Sequence, residues 1–146
     1  MVRRAEIKDI PAIIQLFREQ APETHLKHAE SGFSPRKTSN LILSSIKQQF
    51  AWVYDKDGLK GVLIGENRFN MFSDSIKEAH LLAIYVKPEF RKGMAGGRLI
   101  LEFIKECDDR ETPMIWIGSN VESDLNEQMM NKLGFKLQEQ FYLKER

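Results

Sequence analysis

The chain carries one cysteine, three histidines, five prolines and a net charge of only +1. A single thiol, Cys107, cannot form an internal disulfide, so a reducing compartment is the default. The spacing of its apolar neighbours puts it on the inner face of a helix, which suits a buried thiol better than a nucleophile. With 22 basic against 21 acidic residues and no dense basic run, nothing favours nucleic-acid binding by bulk electrostatics. No apolar run reaches membrane-spanning length, and the opening MVRRAEIKDI has no apolar core of signal-peptide length. No membrane partner is therefore expected, and a cytoplasmic location is. His25, His28 and His80 lack metal-ligand spacing with carboxylates, so no metal is expected. A GxSxG elbow, a GxxxxGK[ST] loop and a GxGxxG fingerprint are all missing.

What remains is a balanced 146-residue chain, 42% hydrophobic and 29% charged, sized for one domain over residues 1–146. Val2 to Ile7 reads as a first strand. Asp9 and Pro11 open a helix with Ile10, Ile13, Ile14 and Phe17 on one face. Residues 20–37 read as a loop or broken helix. Thr38 or Ser39 is placed to cap a second helix that turns Leu41, Ile42, Ser45 and Ile46 inward. Phe50, Trp52 and Tyr54 alternate as a strand, and Asp57-Gly58 predicts a hairpin into Leu59 to Glu66. Met114 to Gly118 is a short apolar strand. Ser123 or Asp124 is placed to cap a helix bearing Leu125, Met129, Met130 and Leu133, with Gly134 ending it. Phe135 to Leu143 supplies a last strand. Trp52, Phe103, Ile104, Leu133 and Phe135 are predicted core. The order β-α-α-β-β-β-α-β-α-β predicts an α/β fold, a mixed sheet with helices on both faces.

The organising stretch is residues 79–109. Ala79 to Val86 is apolar on both faces, as a covered central strand is. Pro88 ends its ladder. Gly93, Gly96 and Gly97 permit positive φ and close approach of a ligand to the backbone. Leu99, Ile100, Phe103, Ile104 and Cys107 then mark one face of a helix. A glycine turn opening a helix aims unpaired N–H groups and the positive end of the helix dipole at one point, which suits a pyrophosphate.

Within that stretch, Tyr85-Val86-Lys87-Pro88-Glu89-Phe90-Arg91 followed by Gly96 resembles motif A of the GCN5-related N-acetyltransferases. Arg91 holds the motif's first position and Gly96 its last, while Met94 replaces the usual first glycine. Lys132-Leu133-Gly134-Phe135 resembles the end of the family's motif B helix, and the element order is the family's too. In general look the chain is most similar to the small phage-encoded members, which would place it in a host cytoplasm.

The resemblance implies an N-acetyltransferase that uses acetyl-CoA as co-substrate. Acetyl transfer to a primary amine would proceed by direct attack. Backbone near Tyr85 and Val86 would bind the pantetheine arm, with the Val86 amide as oxyanion donor. Arg91, Lys92, Gly93, Met94, Ala95, Gly96 and Gly97 would hold the pyrophosphate, and Ser123 stands where the family often has a cofactor-binding asparagine. Eleven residues before Arg91, where histone-type members place a catalytic glutamate, stands His80; nine before it stands Leu82. An imidazole suits proton acceptance near neutral pH. Glu78 is the alternative base. At the family's usual tyrosine acid stands Met130, which leaves Tyr142 or an unassisted thiolate departure. His28 and Glu30, in the loop that commonly roofs the acceptor pocket, are substrate-binding candidates.

The acceptor amine, on a small molecule or on a protein or peptide, stays open, as does a homodimer. The alternative on the same fold is a catalytically weak or inactive protein that binds acetyl-CoA.

Overall fold

The computed structural model describes residues 1–24, 26–118 and 127–146. Among these, one sheet is built from β1 (Val2–Arg4), β2 (Ala51–Asp55), β3 (Leu59–Phe69), β4 (Lys77–Val86) and β5 (Met114–Ile117), in that order across the sheet. The first four strands pair antiparallel, and β5 lies parallel to β4. Helices α1 (Ile10–Glu23), α2 (Pro35–Lys47), α3 (Ala95–Asp109) and the short α4 (Glu127–Lys132) complete the chain, with 3-10 turns at Ile7–Asp9 and Pro88–Phe90. The mixed sheet with helices on both faces is the architecture the pattern predicted.

One face of the sheet is covered by α1 and α2. Ile13, Leu16, Phe17 and Ile42 pack there on Ala51, Val53, Val62, Ile64 and Tyr85. The Asp9 carboxylate closes the turn before α1 by accepting from Glu6 N at 2.8 Å, and both terminal nitrogens of Arg3 clamp it at 2.8 and 3.0 Å. Helix α1 runs four residues into the segment read as a loop or broken helix and carries Pro22 in its last turn. The cap of α2 is Ser34, whose Oγ accepts from Lys37 N at 3.2 Å with Pro35 in the first turn, not Thr38 or Ser39. Starting the helix there turns Ile42 and Ser45 fully inward and leaves Leu41 exposed, against expectation.

The other face is covered by α3. Leu99, Ile100, Phe103 and Cys107 are buried against Phe50, Trp52, Leu63 and Ala79. The Phe103 ring lies 5.7 Å from Phe50 and 6.4 Å from Trp52, centre to centre. Beneath it sits Gly65, where an added Cβ would fall 2.8 Å from Phe103 Cε2 and 3.1 Å from His80 O, so only glycine fits. The Asp57-Gly58 hairpin forms as predicted, with φ of 53° and 107° at the two residues.

Three expectations at the end of the chain are corrected. Residues 135–146 form neither helix nor strand, and Phe141, Tyr142 and Leu143 are exposed. Alternation gives a segment the right propensity, but a strand also needs a neighbour whose ladder it completes. Leu133 is exposed and Phe135 only half-buried, so neither is core. Gly134 does end α4 with φ of 89°. The predicted caps Ser123 and Asp124, and Leu125, lie outside the described residues. Among the described residues, no helix is long and apolar enough to cross a membrane.

Candidate active site

Strand β4 changes faces part-way along. Ile64 of β3 pairs with Ala83, but Gly65 pairs with Leu81, so Leu82 is an extra residue in the ladder. Such a bulge reverses which side successive residues occupy. After it, Ile84 and Val86 pack on the α3 side and Tyr85 on the α1 side. Before it, Leu81 and Ala79 take the α3 side, which sends Glu78 and His80 to the opposite face.

On that face Glu78 is buried, yet its carboxylate is fully engaged. His80 Nε2 lies 2.8 Å from Oε1. Asn70 Nδ2 and Trp116 Nε1 donate to Oε2 at 3.1 and 3.3 Å. Arg68 Nε stands 3.9 Å from Oε1. The hydrogen bond from His80, then that from Asn70, hold the Glu78 carboxyl below the ordinary carboxylate range against the opposing effect of burial. The Trp116 indole stacks on the His80 imidazole, 6.2 Å between centres and 11° from parallel. Directly across on β3, Glu66 pairs with His80 and Arg68 with Glu78.

Further along, β4 loses its neighbour. The parallel pairing with β5 covers only Glu78 to Leu81, so among the described residues nothing pairs with 82–86 on that side. Lys87 N bonds back to Lys60 O on β3 at 2.8 Å, which by alternation turns the peptide groups of Val86 and Ile84 to the open side. There Gln20 Nε2 donates to Ile84 O at 2.9 Å, and Arg91 Nε donates to Val86 O at 2.7 Å. Tyr85 differs from Val86: its peptide faces β3, and its side chain is buried beneath the Arg91 guanidinium, 5.3 Å from the ring centre. Burial, then the charges of Glu23 and Glu19, raise the Tyr85 phenol above its usual range.

Arg91 also reaches Glu23 at 2.5 Å, tying the glycine turn to α1. Met94 is the N-cap of α3 and donates nothing from its side chain, which points out to solvent. The first bond of the helix runs from Arg98 N to Met94 O at 2.9 Å, leaving the N–H groups of Ala95, Gly96 and Gly97 without partners inside the helix. Ala95 is buried, and Lys92 is exposed beside the turn. None of Gly93, Gly96 and Gly97 uses the positive φ that glycine permits, and Gly96 and Gly97 lie within the helix itself. Their smallness has another use. An added Cβ would meet nothing within 4 Å at Gly97 and only Val86 Cγ2, at 3.9 Å, on Gly96. The protein does not need glycine there for its own packing; a ligand lying on the helix end would.

A model of the acetyltransferase (GNAT) family matches residues 10–135. The chain belongs to that family. No curated protein sequence matches it. Its fold is similar to an acetyltransferase from Trypanosoma brucei, at 14% identity over 100% of this chain and 99% of that one, with a TM-score of 0.72. It is similar also to a GCN5-related N-acetyltransferase from Ralstonia eutropha, at 12% identity, 99% and 97% coverage and a TM-score of 0.75. A predicted acetyltransferase from Clostridium acetobutylicum, solved with acetyl-CoA, matches at 12% identity, 99% and 95% coverage and a TM-score of 0.70.

In this GNAT chain the two candidate bases, His80 and Glu78, come together, and the cofactor candidates from Val86 to Gly97 line one side of β4 and the helix end beyond it. The other candidates do not join them. The Tyr142 ring is exposed, with its hydroxyl donating to Gln140 Oε1 at 3.4 Å. His28 and Glu30 are exposed between α1 and α2, and His28 Nε2 lies 3.3 Å from Arg146 O. Ser123 and His25 lie outside the described residues. Sequence reasoning missed Asn70, Trp116, Gln20 and Ile84. Only Trp116 had a signal, as a large polar-tipped ring on an edge strand next to β4.

Proposed function

We propose that this GNAT protein transfers an acetyl group from acetyl-CoA to a primary amine, with His80 as the proton acceptor. The observation that carries the reading is the arrangement along β4. A helix N-terminus with free N–H groups stands beyond one end, an open edge runs beside its second half, and an imidazole lies near the other end. From Val86 to His80 the strand spans roughly 20 Å, suited to a long extended co-substrate with its anionic end at Gly96 and its thioester nearer His80.

The residues then have distinct tasks. The N–H groups of Ala95, Gly96 and Gly97 bind pyrophosphate oxygens, with Lys92 adding charge nearby. Arg91 holds the turn through Val86 O and Glu23. The Val86 amide, or that of Ile84, lies on the edge where the thioester oxygen gains charge and needs a donor. An ammonium acceptor gives one proton to His80, and the freed lone pair attacks the carbonyl carbon. As the C–N bond forms and the C–S bond breaks, the second nitrogen proton leaves with the CoA thiolate. Tyr142 is not needed in this scheme, since a thiolate is a good leaving group.

The test is calorimetric titration with acetyl-CoA, followed by free-thiol release across a panel of small amines and peptide N-termini. Acceptor-dependent release with an acetylated product of matching mass is the expected result. Binding without release for any acceptor would instead support the catalytically inactive acetyl-CoA-binding reading.

A further inference from the structure

Glu78 was first a second candidate for the base, but its surroundings give it another role. Three groups lie within hydrogen-bond distance of its carboxylate, and two of them can only donate. The Trp116 indole N–H is a donor and nothing else. The Asn70 amide is fixed in its orientation, because its Oδ1 accepts from Phe72 N at 3.0 Å, leaving Nδ2 for Glu78 Oε2. An ionised carboxylate accepts and never donates. The bond of 2.8 Å to His80 therefore requires the proton on Nε2. The other ring nitrogen, Nδ1, is then the one with a free lone pair, and among the described residues it has no hydrogen-bond partner. About 20% of the His80 side chain stays accessible, whereas Glu78 is closed in.

We infer that Glu78 is a positioning residue that acts through His80: held by Asn70 and Trp116, it fixes the proton on Nε2 and makes Nδ1 the atom that takes the acceptor's proton. The inference rests on the acetyl-transfer reading for its catalytic meaning, but the tautomer itself does not depend on it. The charged groups facing the pair are Glu66 and Arg68 from β3, with Arg68 also 3.7 Å from Glu66. The Trp116 ring adds a second constraint, lying nearly parallel beside the imidazole, 6.2 Å away centre to centre.

Glu78→Gln gives a sharp test. The donors Asn70 and Trp116 both meet the outer oxygen, so they hold the new amide with its oxygen toward them. Its NH2 then faces His80 Nε2, which can accept only if its own proton has moved to Nδ1. Nitrogen NMR of labelled histidine should show the Nε2–H tautomer in the native protein and the Nδ1–H tautomer in Glu78→Gln. The same substitution should lower kcat by about 10²–10⁴-fold with acetyl-CoA affinity unchanged. Trp116→Phe keeps the stacking and removes one donor, so it should relax the tautomer preference in Glu78→Gln. A native Nδ1–H tautomer would overturn the inference, as would a Glu78→Gln protein with more than a third of native kcat. Loss of activity in Glu78→Gln beside a fully active His80→Ala would overturn it too, by making Glu78 the base. If the tautomers behave as stated and no amine is turned over by the native protein, the acetyl-transfer reading fails and the catalytic role falls with it.

Discussion

Arg91 Nε donates to Val86 O at 2.7 Å, bringing the first motif residue back onto the strand that ends just before it. That one bond occupies an acceptor on the open side of β4 and sets the turn from which α3 starts. It makes the Arg91 position chiefly an organiser of the loop, with one of its two terminal nitrogens already bound to Glu23.

Gly96→Val should raise the dissociation constant for acetyl-CoA at least tenfold, about 1.4 kcal/mol. The new Cβ has room within the protein, since it meets only Val86 Cγ2 at 3.9 Å. Thermal unfolding should therefore change little while calorimetric affinity falls. Met94→Gly should leave affinity nearly unchanged, because the Met94 side chain is exposed and caps nothing. Unchanged affinity in a folded Gly96→Val would remove the pyrophosphate from this site.

Phe103→Ala should destabilise the protein by roughly 3–5 kcal/mol in urea unfolding, since the ring is fully buried between Phe50, Trp52 and Gly65. Gly65→Ala should also destabilise, for the opposite reason: it pushes a methyl into that ring and into backbone at His80. A stable Gly65→Ala would mean that the α3 face of the sheet is packed less tightly than the structure shows.

Acid should destabilise the fold through three carboxyls. Hydrogen bonds from Arg3 hold Asp9 low, and that from His80 does so for Glu78. Burial alone would raise Glu106, but Arg110 and Arg4 outweigh it. Each group therefore favours the folded state in its charged form. Its stabilisation is complete above the unfolded pKa, near 3.8 for Asp and 4.5 for Glu, and is lost as pH falls through the lower folded value. Urea midpoints should fall steeply below about pH 4.5, and Asp9→Asn should be less stable at neutrality but lose less on acidification. A midpoint that rises with acid would contradict this.

Cys107 should resist thiol reagents. It is fully buried, and burial pushes its pKa up to about 12. Ellman's reagent should find no thiol in the native protein at pH 8 and one after unfolding in urea. Rapid native labelling would mean that α3 opens readily or faces another way.

The sequence pattern made most of this fold legible because apolar spacing and turn chemistry act locally. Helix α3 shows its buried face at Leu99, Phe103 and Cys107, and Asp57-Gly58 makes its own turn. Ser34-Pro35 was an equally local cap signal, hidden by the prolines and polar residues around it. The rest depends on contacts between distant segments. The bulge at Leu82 lies opposite Gly65, where the strand meets the Phe103 ring, and no period within β4 alone reveals it. Counting from Arg91 points to His80, but the carboxylate beside it becomes a partner only when Asn70 and Trp116 arrive from elsewhere. The last strand failed for the same reason, since Phe135 to Leu143 carry apolar residues at alternate positions but, among the described residues, pair with no neighbour.

The central claim is that His80 takes the acceptor's proton, and His80→Ala tests it most directly. With a good acceptor at saturating acetyl-CoA, the alanine variant should lose about 10²–10⁴-fold in kcat while calorimetry shows the native affinity for acetyl-CoA. A folded His80→Ala protein that keeps a third or more of native kcat would contradict the account and leave His80 a structural partner of Glu78.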